Sequence, residues 1–413
     1  MKIIGYKHNM QFSAYLIYLL TLLIGQNILL FGRFSLPFYA TILMTFNMFF
    51  QKRYCYRMFV GRKEIHIYLV YVAIFLFCSF FNGDLSSGQE YLVSLLVKYW
   101  GCFLVFFYTN IYVKTLDNVK EVFILLILIV AFNSVVNLLQ FAENSYGLYI
   151  YKFFNNVEQE TFLDYMVNSG VEYGEVTSSI FTGIFASPVM NGYILASLGF
   201  FCLYYLFNKS RLIVEISSIL VFVSVCISIF VVQQRSAFYL FALSLLLISL
   251  LSRKRIILFL IILLSTVYTV SNFDLESMMG RLFNFEDSAR DVIYNSAYEY
   301  VKSNFLLGGR IAFSKVVGFS SHNIIFNSLI YSGIFGSICI FIILYIMLKN
   351  ILYTYLCALR RKDISIEVLC GMGCAIYNLI SFTHNNSLVT GDYLIWLLYI
   401  LMSISIRKKR VLK

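Results

Sequence analysis

The chain is poor in charged residues, and this scarcity excludes most soluble folds. Charged side chains make up 13% of its 413 residues and hydrophobic ones 60%, whereas a soluble domain has about 25% charged and about 45–50% apolar residues. Only 2 prolines and 22 glycines are present, which argues against long disordered segments. These shortages predict an all-α integral membrane protein.

Several catalytic and metal-binding signatures are also missing. The sequence has no phosphate-binding GxxxxGK[ST] loop, no HExxH, no GxSxG, no CxxC and no Asp-x-Asp. None of the nine cysteines falls in the two long polar segments, so we expect no disulfide framework. Cys370 and Cys374 share a helix face without histidine partners, which favours packing over metal binding. We therefore expect no metal site.

What the chain has in abundance is apolar sequence, in about twelve stretches that approach the roughly 20 residues needed to cross a bilayer. We place the spans at residues 13–31, 34–50, 66–81, 91–112, 121–141, 185–207, 212–232, 236–251, 256–271, 321–348, 366–383 and 388–406. Most lysines and arginines lie in alternate connections, and the positive-inside rule places these connections and both termini in the cytoplasm. The net charge of +11 is therefore a topology signal and indicates no nucleic-acid partner.

Two long segments lie on the opposite side of this single polytopic domain, 1–413. Residues 142–182 form an acidic loop, and residues 272–320 form a loop of mixed charge. In the second loop, Ser288 begins a capping pattern and Gly308-Gly309 supplies a stop. We predict a short amphipathic helix over about 289–304 that lies along the membrane surface, with Arg290 in its first turn.

A few polar residues lie where the spans meet this outer surface. His322-Asn323 begins a span, Arg235 interrupts an apolar stretch, and Lys98 lies inside the fourth predicted span. Histidine takes up a proton near neutral pH, and the planar guanidinium of arginine binds phosphate oxygens in pairs. Structural roles also fit these residues: a histidine bonded to a loop carbonyl, or a basic side chain that reaches lipid phosphate.

Four stretches between residues 183 and 336 resemble the bacterial O-antigen polymerases of the Wzy type and their relatives, the O-antigen ligases. They are Gly183-Ile-Phe-Ala-Ser-Pro188, Gln234-Arg235-Ser236, Ser288-Ala-Arg290, and His322-Asn323 followed by Gly333-Ile-Phe-Gly336. Gln234 stands in the place of the family's serine. Two further features depart from the family pattern: the asparagine that follows the family's proline lies here at Asn191, and no clean Arg-x10-Gly repeat is present.

The resemblance implies a metal-independent glycosyltransferase, without a cofactor, in the bacterial inner membrane and with a periplasmic active site. Its substrates would be oligosaccharides linked to undecaprenyl diphosphate, and a chain-length regulator is a candidate partner. Arg235, Arg290 and Arg310 would stabilise the leaving diphosphate, with Lys98 adding charge. His322 would be the general base, and Glu172 and Glu175 are alternative bases. Asn323 and the two glutamates are candidate sugar contacts.

Two other functions remain open at this point. An O-antigen ligase has the same constellation but transfers the glycan to lipid A-core. A lipid-linked oligosaccharide flippase would also have about twelve spans, but it would carry charges within its helices to line a central cavity. Here the charges are concentrated outside the spans, which favours an enzyme.

Overall fold

A computed structural model describes most of the chain. The described residues are 2–30, 34–49, 63–82, 89–113, 116–142, 144–155, 181–185, 188–207, 212–232, 234–251, 290–317, 323–360, 366–382, 389, 393–394 and 396–397. The helices are α1 (Lys2–Ile24), α2 (Leu36–Phe49), α3 (Lys63–Phe81), α4 (Gln89–Tyr112), α5 (Leu116–Phe141), α6 (Ser145–Asn155), α7 (Pro188–Phe207), α8 (Leu212–Val231), α9 (Arg235–Leu251), α10 (Arg290–Ser303), α11 (Arg310–Val317), α12 (Ile324–Arg360) and α13 (Ile366–Ser381). A short antiparallel hairpin of β1 (Leu29–Leu30) and β2 (Phe34–Ser35) pairs Leu29 with Ser35 and joins α1 to α2.

These helices confirm an all-α, multi-pass membrane protein. Five of the described helices are long and apolar enough to cross a membrane, and five more are apolar over 10–17 residues. Together they coincide with ten of the twelve predicted spans. The predicted span at 256–271 lies outside the described residues, and the one at 388–406 is described at five positions only. The total of twelve spans and the sidedness of the loops therefore stay predictions.

Tyrosines bond the interior of the bundle together. The hydroxyls of Tyr71 on α3 and Tyr99 on α4 both donate to the carbonyl of Val389, at 3.2 and 2.7 Å. The ring of Tyr68 lies 4.7 Å from that of Trp396. The rings of Tyr71 and Tyr99 thus add buried apolar area while their hydroxyls have a polar partner. These contacts hold the described residues of the last predicted span against α3 and α4.

The described cysteines carry free thiols, and all but Cys357 are buried. The thiol of Cys374 on α13 donates to the carbonyl of Ser197 on α7 at 2.9 Å. Cys370 is fully buried one turn away. Both thiols therefore take part in helix packing.

Buried amide side chains attach residues 181–185 to the C-terminal half of α5. This amide cluster consists of Asn133, Asn137 and Gln140 on α5 and Asn191 on α7. Asn191 donates to Asn137 at 2.7 Å and accepts from Asn133 at 2.7 Å. It also donates to the carbonyl of Phe181 at 3.2 Å. Asn191 is therefore the centre of a connected network.

The backbone of Gly183 is hydrogen-bonded to the amide cluster. Its N–H donates to Gln140 and its carbonyl accepts from Gln140, both at 2.9 Å. Gly183 has a φ of 60°, and a Cβ there would overlap the side-chain oxygen of Asn133. Only glycine suits both the dihedral angle and the close approach. The Gly183–Pro188 stretch therefore has a structural reason to begin with glycine.

Asn191→Ala removes the centre of the amide cluster and leaves three buried groups without their partner. Each unsatisfied buried group costs about 1–3 kcal/mol, so we expect the free energy of unfolding to fall by at least about 3 kcal/mol. Reversible denaturation in mixed micelles measures the change. As a control, Ser217→Ala removes an exposed hydroxyl that bonds only within α8, to Ile213 at 2.8 Å, and should change stability by less than about 0.5 kcal/mol. Equal stabilities of the two variants would contradict the role assigned to Asn191.

Candidate functional site

Helix α12 is broken near its N-terminal end. Ser332 has φ −144° and ψ 16°, and Gly333 has φ 57° and ψ −161°, both outside the helical range. The two residues are buried. A break of this kind frees backbone groups that a continuous helix would pair internally, and inside a membrane protein those groups need other partners.

The turn between α10 and α11 supplies these partners. The N–H of Gly309 donates to the carbonyl of Ile330 at 2.8 Å, and the N–H of Ile334 donates to the carbonyl of Phe305 at 3.0 Å. Two backbone–backbone hydrogen bonds therefore join the turn, residues 304–309, to the α12 break. We call this arrangement the turn–break junction.

Glycines allow the two backbones to approach. A Cβ at Gly308 would lie 2.5 Å from the carbonyl oxygen of Ile330, and a Cβ at Gly333 would overlap the carbonyl oxygen of Leu306. The φ values of Gly308 and Gly309 are 71° and 135°. The predicted helix at 289–304 is confirmed as α10, and the predicted glycine stop is the turn that docks on α12.

Side chains from the neighbouring helices complete the junction. Asn82, just after α3, donates to the carbonyl of Leu307 at 3.0 Å. The hydroxyl of Tyr300 on α10 donates to the carbonyl of Gly309 at 2.5 Å. The thiol of Cys78 on α3 donates to the carbonyl of Ser332 at 3.5 Å. Side chains from α10 and from the end of α3, together with the backbone of α12, therefore hold the turn, so the residue that follows it has a defined position.

That residue is Arg310, the first residue of α11. Its guanidinium carbon lies 4.4 Å from the centre of the Tyr331 ring, next to the break. Tyr331 is buried and its ring lies 6.0 Å from that of Phe75. Arginine is attracted to the face of an aromatic ring, so this contact orients the guanidinium beside the break. Arg310 is half-buried, so its charge acts in a partly desolvated place.

The predicted arginines share one feature. Arg235, Arg290 and Arg310 are the first residues of α9, α10 and α11. A cation at a helix N-terminus is opposed by the helix dipole, typically by about 0.3–1 kcal/mol. An anion bound there interacts favourably with the terminal N–H groups and with the arginine. Three such termini are therefore suited to phosphate oxygens.

The start of α12 holds Asn323. Its side-chain oxygen accepts from the N–H of Ile325 at 2.8 Å and from that of Phe326 at 3.4 Å, as an N-cap residue does. The N–H of Ile324 donates to the carbonyl of Phe382, after α13, at 3.3 Å. Asn323 therefore caps the helix, in addition to its predicted contact with a sugar. It lies eight residues from Tyr331, about 12 Å along the helix axis.

The structure describes the other predicted site residues only in part. Lys98 lies in α4 with an exposed side chain. The backbones of Arg235 and Arg290 are described, but their side chains are not. His322, Glu172 and Glu175 lie outside the described residues. The structure thus brings Arg310 and Asn323 to the same end of α12, and the contacts of the other candidates stay predictions.

Sequence reasoning missed the α12 break and its partners Asn82 and Tyr331. The one available signal was Gly333 inside an apolar span, since glycine often marks a close backbone approach. Among the described residues, no group of three His, Cys, Asp or Glu could hold a metal ion. The charged group described at the junction is the Arg310 guanidinium, a cation.

Gly308→Ala should separate the turn from the break, because the new methyl group meets the Ile330 carbonyl. Loss of the two backbone hydrogen bonds at the junction removes roughly 1–3 kcal/mol of local stability. We expect about 5- to 100-fold faster hydrogen exchange at Gly309 and Ile334, measured by mass spectrometry on the purified protein. Leu306→Ala, a change at an exposed side chain in the same turn, is the matched control and should leave exchange unchanged. Parent-like protection in Gly308→Ala would contradict the junction.

No protein-family model, curated protein sequence or solved structure matches the chain. The function is therefore argued from the order of the motifs in the sequence and from the geometry of the turn–break junction.

Proposed function

We propose that the chain is an O-antigen polymerase. It transfers a glycan from undecaprenyl diphosphate to a sugar hydroxyl of another lipid-linked repeat unit. The observation that carries the proposal is the placement of Arg235, Arg290 and Arg310 at the first residues of three helices. Such termini suit a diphosphate, and the order of the four family-like motifs supports the same substrate class.

The reaction needs two kinds of group. The acceptor hydroxyl oxygen bonds to the anomeric carbon of the donor sugar while the bond from that carbon to the diphosphate oxygen breaks. The hydroxyl proton passes to a base, for which we propose His322. The lipid diphosphate leaves with the bonding electron pair, and preorganised arginines stabilise the charge that develops on it. Of these arginines, Arg310 is the one whose side chain the structure describes.

The turn–break junction supports this assignment because it gives Arg310 a defined position. A cation contributes most to catalysis when it is already in place before charge develops. The backbone bonds at Gly309 and Ile334 and the Tyr331 ring fix the start of α11. Asn323 caps the same helix, and His322 is the residue before it in the sequence.

Deletion of the protein tests the function as a whole. For a polymerase, the lipopolysaccharide ladder collapses to one repeat unit on core, because single units are still ligated. Core alone would indicate a ligase. An unchanged ladder would exclude both activities, and a transport assay on lipid-linked oligosaccharides would then test the flippase alternative.

Arg310→Ala should slow polymerisation strongly, because removal of one preorganised donor typically costs about 10²–10³ in rate. Arg310→Lys keeps the charge but loses the planar fork and the stacking on Tyr331, so an intermediate rate is expected. The measurement is chain growth by the purified protein in proteoliposomes supplied with lipid-linked repeat units. Lys302→Ala is the matched control, since Lys302 is exposed in the same loop and pairs only loosely with Glu299, at 3.9 Å. If Arg310→Ala and Lys302→Ala grow chains equally fast, Arg310 does not contact the diphosphate.

His322→Ala should abolish polymer while the protein remains in the membrane at normal level, because the acceptor hydroxyl then lacks its base. The readouts are the lipopolysaccharide ladder and an immunoblot of the membrane fraction. The sequence has a second His-Asn pair, His384-Asn385, in the predicted outer loop before the last span. His384→Ala serves as the control, with a normal ladder expected. A normal ladder from His322→Ala would remove His322 from the mechanism and make Glu172 and Glu175 the next candidates.

A further inference from the structure

Helix α6 lies inside residues 142–182, which the sequence predicts to be a polar loop. The chain reverses direction directly after α5: Ala142 donates to the carbonyl of Leu138 at 3.0 Å, and Asn144 donates to that of Leu139 at 2.9 Å. The side-chain oxygen of Asn144 then accepts from the N–H of Tyr146 at 2.9 Å, which caps the new helix. Helix α6 therefore begins at the end of a membrane span.

From this turn α6 runs back alongside α5. Near its start, Gly147 packs so closely that a Cβ would lie 2.8 Å from the backbone nitrogen of Gln140. Seven residues later the Phe154 ring lies 6.0 Å from that of Phe132 on α5. The two helices are thus antiparallel neighbours. At about 1.5 Å per residue, the C-terminal end of α6 lies about 10 Å further from the end of α5 than its start does.

The deep end of α6 is bonded into the protein. Asn155 donates to the carbonyl of Ile184 at 3.2 Å and accepts from the side chain of Asn27 at 2.8 Å. Ile184 in turn donates to Asn133 of the amide cluster at 3.0 Å. Gly147, Tyr151 and Asn155, spaced four residues apart, form the buried face. One side of α6 is therefore fully occupied by protein contacts.

The opposite side carries a row of aromatic rings. Tyr146 is 70% exposed, Tyr149 70% and Phe153 65%, and their spacing puts them on one helix face. This row is continuous with the exposed apolar face of α5, formed by Leu128, Phe132 and Val135, because Phe154 joins the two helices at Phe132. A span of a membrane protein presents such a face to lipid.

We propose that α6 is a re-entrant helix whose aromatic face is embedded in the lipid leaflet at which α5 ends. The order of the rings supports lipid as the occupant. The tyrosines, whose hydroxyls require polar surroundings, lie at the shallow end, and Phe153 lies deeper, as expected across a headgroup–acyl boundary.

The single basic residue of α6 fits the same occupant. Lys152 is half-buried in the last turn. Side chains on a helix lean toward its N-terminus, which for α6 is the shallow end. The aliphatic stem of Lys152 therefore reaches along the helix and carries its ammonium group toward the headgroup phosphates. This surface does not depend on glycosyl transfer, so it can be tested independently of the proposed function.

Photocrosslinking distinguishes lipid from a second copy of the chain. The full-length protein is reconstituted in vesicles of phosphatidylethanolamine and phosphatidylglycerol, with Phe153→p-benzoylphenylalanine as the reporter. Tyr149→p-benzoylphenylalanine repeats the test at a second exposed position. The same substitution at Leu128, on the exposed face of α5, is the positive control, and at Tyr151, which is 4% exposed, it is the negative control. Intact-protein mass spectrometry counts lipid adducts, and denaturing gels count covalent dimers.

We expect lipid adducts at positions 153 and 149, roughly tenfold more abundant than at position 151, because exposure decides which partner the ketone meets. A covalent dimer at positions 153 and 149 would overturn the proposal in favour of a protein interface. Absence of lipid adducts at both positions, with a clear adduct at position 128, would also overturn it, since the face would then be in water.

Discussion

Inside a bilayer every backbone N–H and carbonyl needs a hydrogen-bond partner from the protein, because no water is present to supply one. The α12 break and residues 181–185 are two buried places where the described structure leaves regular helix. At the break, Gly309 and Phe305 replace the missing helical partners. In the second segment Gln140 satisfies both backbone groups of Gly183. At both places, hydrogen-bond partners from elsewhere in the chain replace the partners that a continuous helix would supply.

Both places depend on glycine for the same reason. Two backbones, or a backbone and an amide side chain, can bond at about 2.9 Å only if no Cβ stands between them. Gly183, Gly308 and Gly333 each occupy such a position, with φ values of 60°, 71° and 57°. The Gly-x-F-x-x-P and Gly-x-x-Gly stretches thus have structural explanations that are independent of catalysis.

The same arrangement determines where charge can be held. The amide cluster is neutral and fully buried, which avoids the large cost of an ion in that position. Arg310 instead lies at a helix start, half-buried, with its guanidinium over Tyr331. A cation whose position is set by a ring and a docked turn is preorganised to stabilise an anion. The architecture is therefore neutral where it supports the fold and cationic where we propose substrate binding.

Much of this protein was readable from its sequence. Low charge and long apolar stretches determined the membrane class and ten helical spans, because hydropathy is a local property of each segment. Local signals also located α10 and the glycine turn after it. Helix α6 was missed because the acidic residues beyond Asn155 dominate the composition of residues 142–182. Packing alone decided that Asn191 meets Asn137, that Gly309 meets Ile330, and that Arg310 stacks on Tyr331. Each pair joins residues at least twenty positions apart, and no local pattern of polarity encodes which distant backbone or ring will be its partner.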